Sequence, residues 1–196
     1  KGTVVMSETL QRNLAAIERR WPDVARRLLA ENTEAVPAQL LEGQGSTLSV
    51  NGIQLTSRHD RVAEAQRQAE SLPADSPQLC LYGTGLGDLQ RVLLAANTLR
   101  ALHVHILNGA LFALVLQLLE QDDWLTDPRV ELAYADAASE IRLPFFALPA
   151  ELVLADDSSA RIRDRLVSEV HVGFTNQTFS PDSAETAERL EQGRAL

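Results

Sequence analysis

The 196-residue sequence predicts an α/β protein in which a parallel sheet carries helices on its faces. The first observation is the apolar run Leu79–Tyr82, which is typical of a strand buried on both faces. The second is the glycine-rich turn after this run, which leads into apolar residues at helical spacing. The third is the alternation of strand-like and helix-like segments up to Leu154, the pattern of right-handed crossovers between parallel strands.

Composition narrows the class of protein. The sequence is 45% hydrophobic and 23% charged, as in ordinary globular domains. A formal net charge of −9 argues against a nucleic-acid partner, because phosphate binding needs a basic surface. No apolar run is long enough to span a membrane and no signal peptide is visible, so we expect a cytoplasmic protein without a membrane partner.

The N-terminal part predicts helices. A capping serine and Pro22, which suits a first helical position, predict helices at about Ser7–Arg20 and Pro22–Glu31. Their apolar stripe, a candidate surface for another domain or subunit, consists of Leu10, Leu14, Ile17, Trp21, Val24 and Leu28. Asp60 is a candidate N-cap for a third helix that runs to about Leu72.

A β-hairpin is predicted between the second and third helices, within Ser46–Ser57. Asn51-Gly52 is the preferred pair for a two-residue type I′ turn. Such a turn sets Val50 opposite Ile53, and Leu48 opposite Leu55, so the apolar side chains share one face.

The sheet is predicted to have four parallel strands in the order 3-2-1-4. The predicted strands are Leu79–Tyr82, His103–Leu107, Val130–Tyr134 and Glu151–Leu154; the helices between them are about Leu86–Arg100 and Ala110–Gln121. This order places the topological switch point between strands one and four, above the glycines.

The chain divides into three parts on this interpretation. Residues 1–72 form the unit of helices and hairpin, and residues 73–170 form a Rossmann-like domain that ends in an arginine-rich helix. Residues 171–196 are a C-terminal extension, with a last helix starting at Ser180-Pro181, that we expect to lead into a further domain.

The glycine turn is the first candidate binding site. Gly83, Gly85 and Gly87 follow the first strand, where open α/β sheets bind ligands. A dinucleotide fingerprint requires glycine where this chain has Asp88, whose carboxylate would repel a pyrophosphate. The spacing is closer to the turn of S-adenosylmethionine-dependent methyltransferases, and a turn used only for tight packing remains an alternative.

Three polar residues at the ends of later strands are candidate partners of such a ligand. Methyltransferases usually carry an acidic residue after the second strand to bind the ribose, and this chain has Asn108 there. Asp136, after the third strand, matches the position that commonly contacts the adenine amino group, and Asp156 ends the predicted fourth strand. Asp and Asn are also common caps and turn formers, which is the structural alternative.

Other chemistry is not supported by the sequence. His103 and His105 share one face of a strand, but no third metal ligand is near them in sequence. Cys80 lies in the first strand and fits a small buried hydrophobic residue better than a nucleophile. The chain has no Gly-x-Ser-x-Gly elbow for acyl transfer.

Several segments, in the same order, resemble the N-terminal region of the motility accessory factor (Maf) family of flagellin glycosyltransferases. They are Asn13-Leu14 with Trp21-Pro22-Asp23, the Leu48–Leu55 hairpin, Ser57-Arg58-His59-Asp60 with Glu64-Ala65, Leu81–Gly87, Asp127-Pro128-Arg129-Val130 and the strand ending at Asp156. The order covers about residues 10–170, and the family position of Asn108 is often acidic, so this chain departs there.

The resemblance implies a downstream domain that transfers a nonulosonic acid from a CMP-sugar to flagellin. This chain would then be an accessory binding domain without a catalytic centre, with flagellin or another protein as partner and homo-oligomers as an option. The alternatives are a methyltransferase that binds S-adenosylmethionine, or another nucleotide-binding domain, and a non-catalytic interaction module with an empty crevice.

Overall fold

The computed structural model describes residues 6–41, 47–57, 59–137 and 140–177, with side chains as far as residue 170. The helices are α1 (Glu8–Arg20), α2 (Pro22–Leu29), α3 (Arg61–Glu70), α4 (Asp88–Leu94), α5 (Gly109–Leu118), α6 (Asp122–Leu125), α7 (Pro149–Val153) and α8 (Ala160–Gln177). The strands are β1 (Ala38–Leu41), β2 (Thr47–Val50), β3 (Ile53–Gln54), β4 (Gln78–Tyr82), β5 (Ala101–Ile106), β6 (Val130–Tyr134) and β7 (Phe145–Ala147).

The larger sheet is parallel throughout and has the order β6-β5-β4-β7. This confirms the predicted α/β class and the predicted order 3-2-1-4. The central strand β4 pairs Cys80 with His103 of β5 on one side and with Phe145 of β7 on the other. A helix or helical segment follows each strand. Because the four strands are parallel, their carboxyl ends lie at the same edge of the sheet.

The predicted fourth strand was placed wrongly. Residues 151–154 belong to α7 and the residue that follows it, while the strand is the three-residue segment β7, which lies before α7 in the chain. Pro149 lies in the first turn of α7, where its missing N–H costs nothing. Two adjacent phenylalanines in β7 favour an extended backbone over a loop.

The smaller sheet is antiparallel, in the order β1-β2-β3, and contains the predicted hairpin. Asn51 and Gly52 have φ of 51° and 78°, and Val50 pairs with Ile53 as the type I′ turn requires. The third strand, β1, was not predicted; it pairs along the whole of β2.

The N-terminal helices pack directly on the larger sheet. Ser7 and Asp60 cap α1 and α3 as predicted, by accepting hydrogen bonds from Leu10 and Ala63 N–H. One core cluster contains Ile17 of α1 and Leu28 of α2 together with residues of β4, β5 and β6. The predicted apolar stripe is therefore covered by the same chain, and the core continues across the predicted boundary at residues 72 and 73.

Helix bounds differ from the prediction where side chains end a helix early. The prediction extended the helix after the glycine turn to Arg100, but α4 ends at Leu94. Arg129 donates hydrogen bonds to the carbonyls of Leu94 and Ala96, which would otherwise continue the helix.

At the C-terminal side, α8 continues to Gln177, into the segment 171–196 that was predicted as a C-terminal extension, and the helix predicted from Ser180-Pro181 lies outside the described residues.

Candidate functional site: a closed crevice at the glycine turn

The glycine turn lies at the carboxyl end of β4, between β5 and β7. Gly83, Gly85 and Gly87 have φ of 99°, 54° and 91°, a region that side-chain-bearing residues rarely adopt. All five residues of the turn, 83–87, are buried. The location matches the ligand crevice of open α/β sheets, but the turn itself does not face solvent.

A carboxylate from the same chain occupies the inner side of this turn. The Thr84 N–H and hydroxyl donate to Glu151 Oε1 at 3.1 and 3.3 Å, and the Gly85 N–H donates to Oε2 at 2.5 Å. Glu151 belongs to α7 and is only 1% exposed. Burial raises the pKa of the Glu151 carboxyl, and the hydrogen bonds from Thr84 and Gly85 oppose that rise.

The glycines are needed because side chains of this chain press against them. A Cβ on Gly83 would lie 3.0 Å from Glu151 Oε2 and 3.1 Å from Leu148 Cβ. A Cβ on Gly87 would lie 2.6 Å from Gln121 Oε1 and 2.9 Å from Trp124 Nε1. Among the described residues, the cavity beside the turn has a volume of about 20 Å³, enough for about one water molecule and far below the volume of a nucleoside.

The small antiparallel sheet packs against the glycine turn and covers it. Leu48 and Val50 of β2, with Leu55 directly after β3, form a buried cluster with Leu86 of the glycine turn and with Leu111 and Val115 of α5. Ala150 and Leu154, on either side of Glu151, pack against this cluster. Apolar residues of the small sheet, α5 and α7 therefore bury the side chain of Leu86 in the glycine turn.

Asp88, at the position where a dinucleotide fingerprint would have its third glycine, also forms ion pairs within the chain. Its side chain is 11% exposed and forms ion pairs with Arg61 of α3 at 3.1 Å and with Arg91 at 3.6 Å. The carboxylate stands at the first residue of α4, where a phosphate would compete with it.

Asn108 and Asp156 connect two segments of the chain at the carboxyl edge of the sheet. The Asn108 side chain accepts a hydrogen bond from Leu111 N–H, as the N-cap of α5, and donates to the Leu154 carbonyl at 2.7 Å. Asp156 lies at no strand end. Its side chain accepts from Gly109 N–H, Ser158 and Ser159 N–H, and it caps a 3₁₀ turn.

Asp136 faces the N-terminal helices. It follows β6 as predicted, and it receives two hydrogen bonds from the Arg27 guanidinium, at 2.9 and 2.5 Å. These bonds hold the pKa of Asp136 below its ordinary value. The Arg27 guanidinium also stacks 3.6 Å above the Tyr134 ring, and Tyr134 donates its hydroxyl proton to Glu31 at 3.0 Å. The position predicted to contact an adenine is thus paired with α2.

The structure brings the predicted site residues to one edge of the sheet, but each is bonded to the chain itself. Among the described residues, no group of three His, Cys, Asp or Glu side chains is arranged to hold a metal ion. His105 is buried, and its ring stacks on Tyr82 with centroids 4.5 Å apart. Cys80 is also buried, and its burial raises the pKa of the thiol. In the part of the chain that the structure describes, no helix is long and apolar enough to cross a membrane.

Comparison with known proteins identifies partial structural likeness only. No protein-family model and no curated sequence matches the chain. A spermidine synthase in complex with the transition-state analogue AdoDATO is 20% identical, with a TM-score of 0.45; the match covers 52% of this chain and 36% of the synthase. The Maf glycosyltransferase from Magnetospirillum magneticum AMB-1 is 15% identical, with a TM-score of 0.49, and covers 66% of this chain and 28% of its own.

A further spermidine synthase, from Thermotoga maritima, is 17% identical, with a TM-score of 0.43 and coverage of 54% of this chain and 39% of the synthase. This chain therefore matches between 28% and 39% of the length of the three proteins. At these identities and TM-scores the likeness assigns neither an activity nor a ligand to this chain.

Glu151 is the site residue that sequence reasoning missed. The predicted strand Glu151–Leu154 makes it the first residue of a strand, a position that indicates no role for a carboxylate. The signal that could have found it is Pro149, which marks a helix start two residues earlier and places Glu151 in a first turn. Its bonding partners lie 66 and 67 residues away in the sequence, so no local pattern connects them.

Proposed function

We propose that this chain is a non-catalytic accessory domain of a Maf-like protein, in which the cofactor crevice of the fold is filled by the chain itself. One observation carries the non-catalytic part. The glycine turn is buried and bonded to Glu151, and the cavity that the described residues leave beside it has a volume of about 20 Å³. A cofactor of nucleoside size requires a crevice of several hundred Å³.

The ordered sequence resemblance supports the family. It implies that a downstream domain carries out the transfer of a nonulosonic acid from a CMP-sugar to flagellin. The filled crevice fits a domain that positions or docks a protein rather than one that performs chemistry. Flagellin is the partner that this interpretation names, and a second copy of the chain is the other.

The native reading frame and its product test this proposal. We expect the frame to continue beyond Leu196 into a domain that transfers the sugar to flagellin from a CMP-sugar. Residues 1–196 alone should transfer none. A frame that ends near Leu196, or sugar transfer by residues 1–196 alone, would contradict the proposal.

A methyltransferase is the second candidate, and one observation favours it. Three glycines with positive φ follow the inner strand β4 of a parallel sheet, at a spacing that resembles the methyltransferase turn. This function requires Glu151 and the small sheet to move away from the turn. Calorimetric titration of the chain with S-adenosylmethionine distinguishes the two functions, because the methyltransferase requires saturable heat and the accessory domain gives none.

A further inference from the structure

We propose that the backbone of Thr84 and Gly85 is a carboxylate-binding site that the chain fills with Glu151, and that it accepts a small monocarboxylate from solution when this side chain is removed. The inference rests on the closed crevice of the proposed function. It identifies a carboxylate as the chemical group that the turn binds. Two consecutive N–H groups and the Thr84 hydroxyl converge on one carboxylate, at distances of 2.5 to 3.3 Å.

The site is built for an anion by its backbone. The positive φ of Gly83 and Gly85 turns successive N–H groups towards one point, which is how backbone concavities bind anions. Glu151 is the acceptor that the described structure gives to both N–H groups, so its removal leaves them to a water molecule or to an anion from solution. A charged acceptor forms a stronger hydrogen bond with an N–H group than water does, so the turn favours a carboxylate over water.

The recognition is by neutral donors. Within the described residues, the carboxylate of Glu151 has no ion pair with an arginine. Neutral N–H donors stabilise the single negative charge of a carboxylate. A phosphate dianion would bring a second negative charge into the buried site, and burying that charge is costly. The chemistry therefore selects a monocarboxylate over a phosphate.

The size of the occupant follows from the substitution Glu151→Ala. This change removes a methylene and a carboxylate, which are together the size of an acetate ion. Because the cavity beside the turn is small, acetate fits the vacated volume while larger acids exceed it. Glu70→Ala is the matched control, since Glu70 is an exposed helical glutamate on α3.

Thermal unfolding with added acetate tests the proposal. We expect Glu151→Ala to lower the Tm by roughly 5–12 °C, and sodium acetate at 0.1–0.3 M to restore several degrees with a saturable dependence. Sodium chloride at equal ionic strength and acetamide, which is uncharged, should restore none. Wild type and Glu70→Ala should not respond to acetate beyond the chloride effect. A Tm for Glu151→Ala equal to that of wild type, or equal effects of acetate and chloride, would overturn the proposal.

A second variant covers the case in which Glu151→Ala does not fold. Glu151→Gln keeps the side-chain volume and removes the charge, so the Gly85 N–H should lose its charged acceptor. The Gly85 amide proton should move upfield in the ¹H-¹⁵N spectrum of this variant, and the exposed amide of Gly52 should not move. An unchanged Gly85 resonance would overturn the carboxylate site. Cofactor binding to wild type would instead contradict the proposed function and leave the acetate result in place.

Discussion

Gly52 and Gly87 have similar φ values, but their surroundings differ greatly. Their φ values are 78° and 91°, but a Cβ on Gly52 would meet nothing within 4 Å, while one on Gly87 would collide with Gln121 and Trp124. Gly52→Ala should therefore destabilise the fold by about 1–2 kcal/mol, the cost of the left-handed backbone alone. Gly87→Ala should cost roughly 3–5 kcal/mol, because overpacking adds to the same strain.

Urea unfolding of the two variants measures this difference. Since the backbone term is common to both, the excess for Gly87→Ala reports the pressure of neighbouring side chains on the turn. Equal losses in the two variants would mean that the turn is open, against the closed crevice described above.

His105 is a buried base with a strongly lowered pKa. Neither of its ring nitrogens has a hydrogen-bond partner among the described residues, and burial, with His103 and Arg142 nearby, lowers the pKa to about 4. The folded protein thus holds this ring neutral at pH values where the unfolded chain, with a pKa near 6.5, takes up a proton. Its contribution is complete above pH 6.5 and falls by roughly 3 kcal/mol as pH decreases to 4.

The variant His105→Phe tests this pH dependence, since it keeps a ring stacked on Tyr82 without a titrating group. We expect the free energy of unfolding of wild type to fall more steeply than that of the variant between pH 6.5 and 4. His59→Phe makes the same change at an exposed position and should follow wild type. Parallel pH profiles for wild type and His105→Phe would show that His105 is solvated in the folded state.

At the scale of elements, the small antiparallel sheet is the part that closes the crevice. Leu48 of β2 is 1% exposed in the cluster above the glycine turn, whereas Leu40 of β1 is 54% exposed in the same sheet. Leu48→Ala should destabilise the protein by about 2–5 kcal/mol, as expected for a large-to-small change in a core. Leu40→Ala should stay within about 0.5 kcal/mol of wild type.

Chemical denaturation of both leucine variants provides the comparison. A loss for Leu48→Ala that matches the small loss for Leu40→Ala would mean that the hairpin does not pack on the glycine turn in solution.

Elements specified by short-range chemistry could be predicted from the sequence. The hairpin depends on Asn51-Gly52, the helix caps depend on Ser7 and Asp60, and the structure has all of them where predicted. The fourth strand could not be placed in this way. A three-residue strand such as β7 has no period of its own, and it is extended because Cys80 and its neighbours in β4 pair with it from 65 residues away.

The candidate site shows the same limit. The three glycines and the strand ends could be located by pattern, because both are local features. Their partners could not be, since Glu151 and Arg27 reach Gly85 and Asp136 from distant segments. A pattern that locates a crevice does not reveal whether the chain itself fills it.

At the scale of the whole molecule, three parts of the chain meet at the carboxyl edge of the parallel sheet. The small sheet covers the glycine turn, α7 supplies Glu151, and α2 supplies Arg27 to Asp136. The contact of Glu151 with the glycine turn lies at the switch point, where open α/β sheets bind ligands. The strand order β6-β5-β4-β7 is therefore combined with a glycine turn beside which the described residues leave a cavity of about 20 Å³.

The most direct test of this closed crevice is a ¹H-¹⁵N titration of the wild-type chain with S-adenosylmethionine. The amide resonances of Gly83, Gly85 and Gly87 report on the turn itself, and that of Gly52 serves as a reference. The closed crevice predicts that the three resonances stay in place up to millimolar ligand. A saturable movement of these three glycines, with Gly52 unchanged, would show that the crevice opens for a cofactor and would contradict the account.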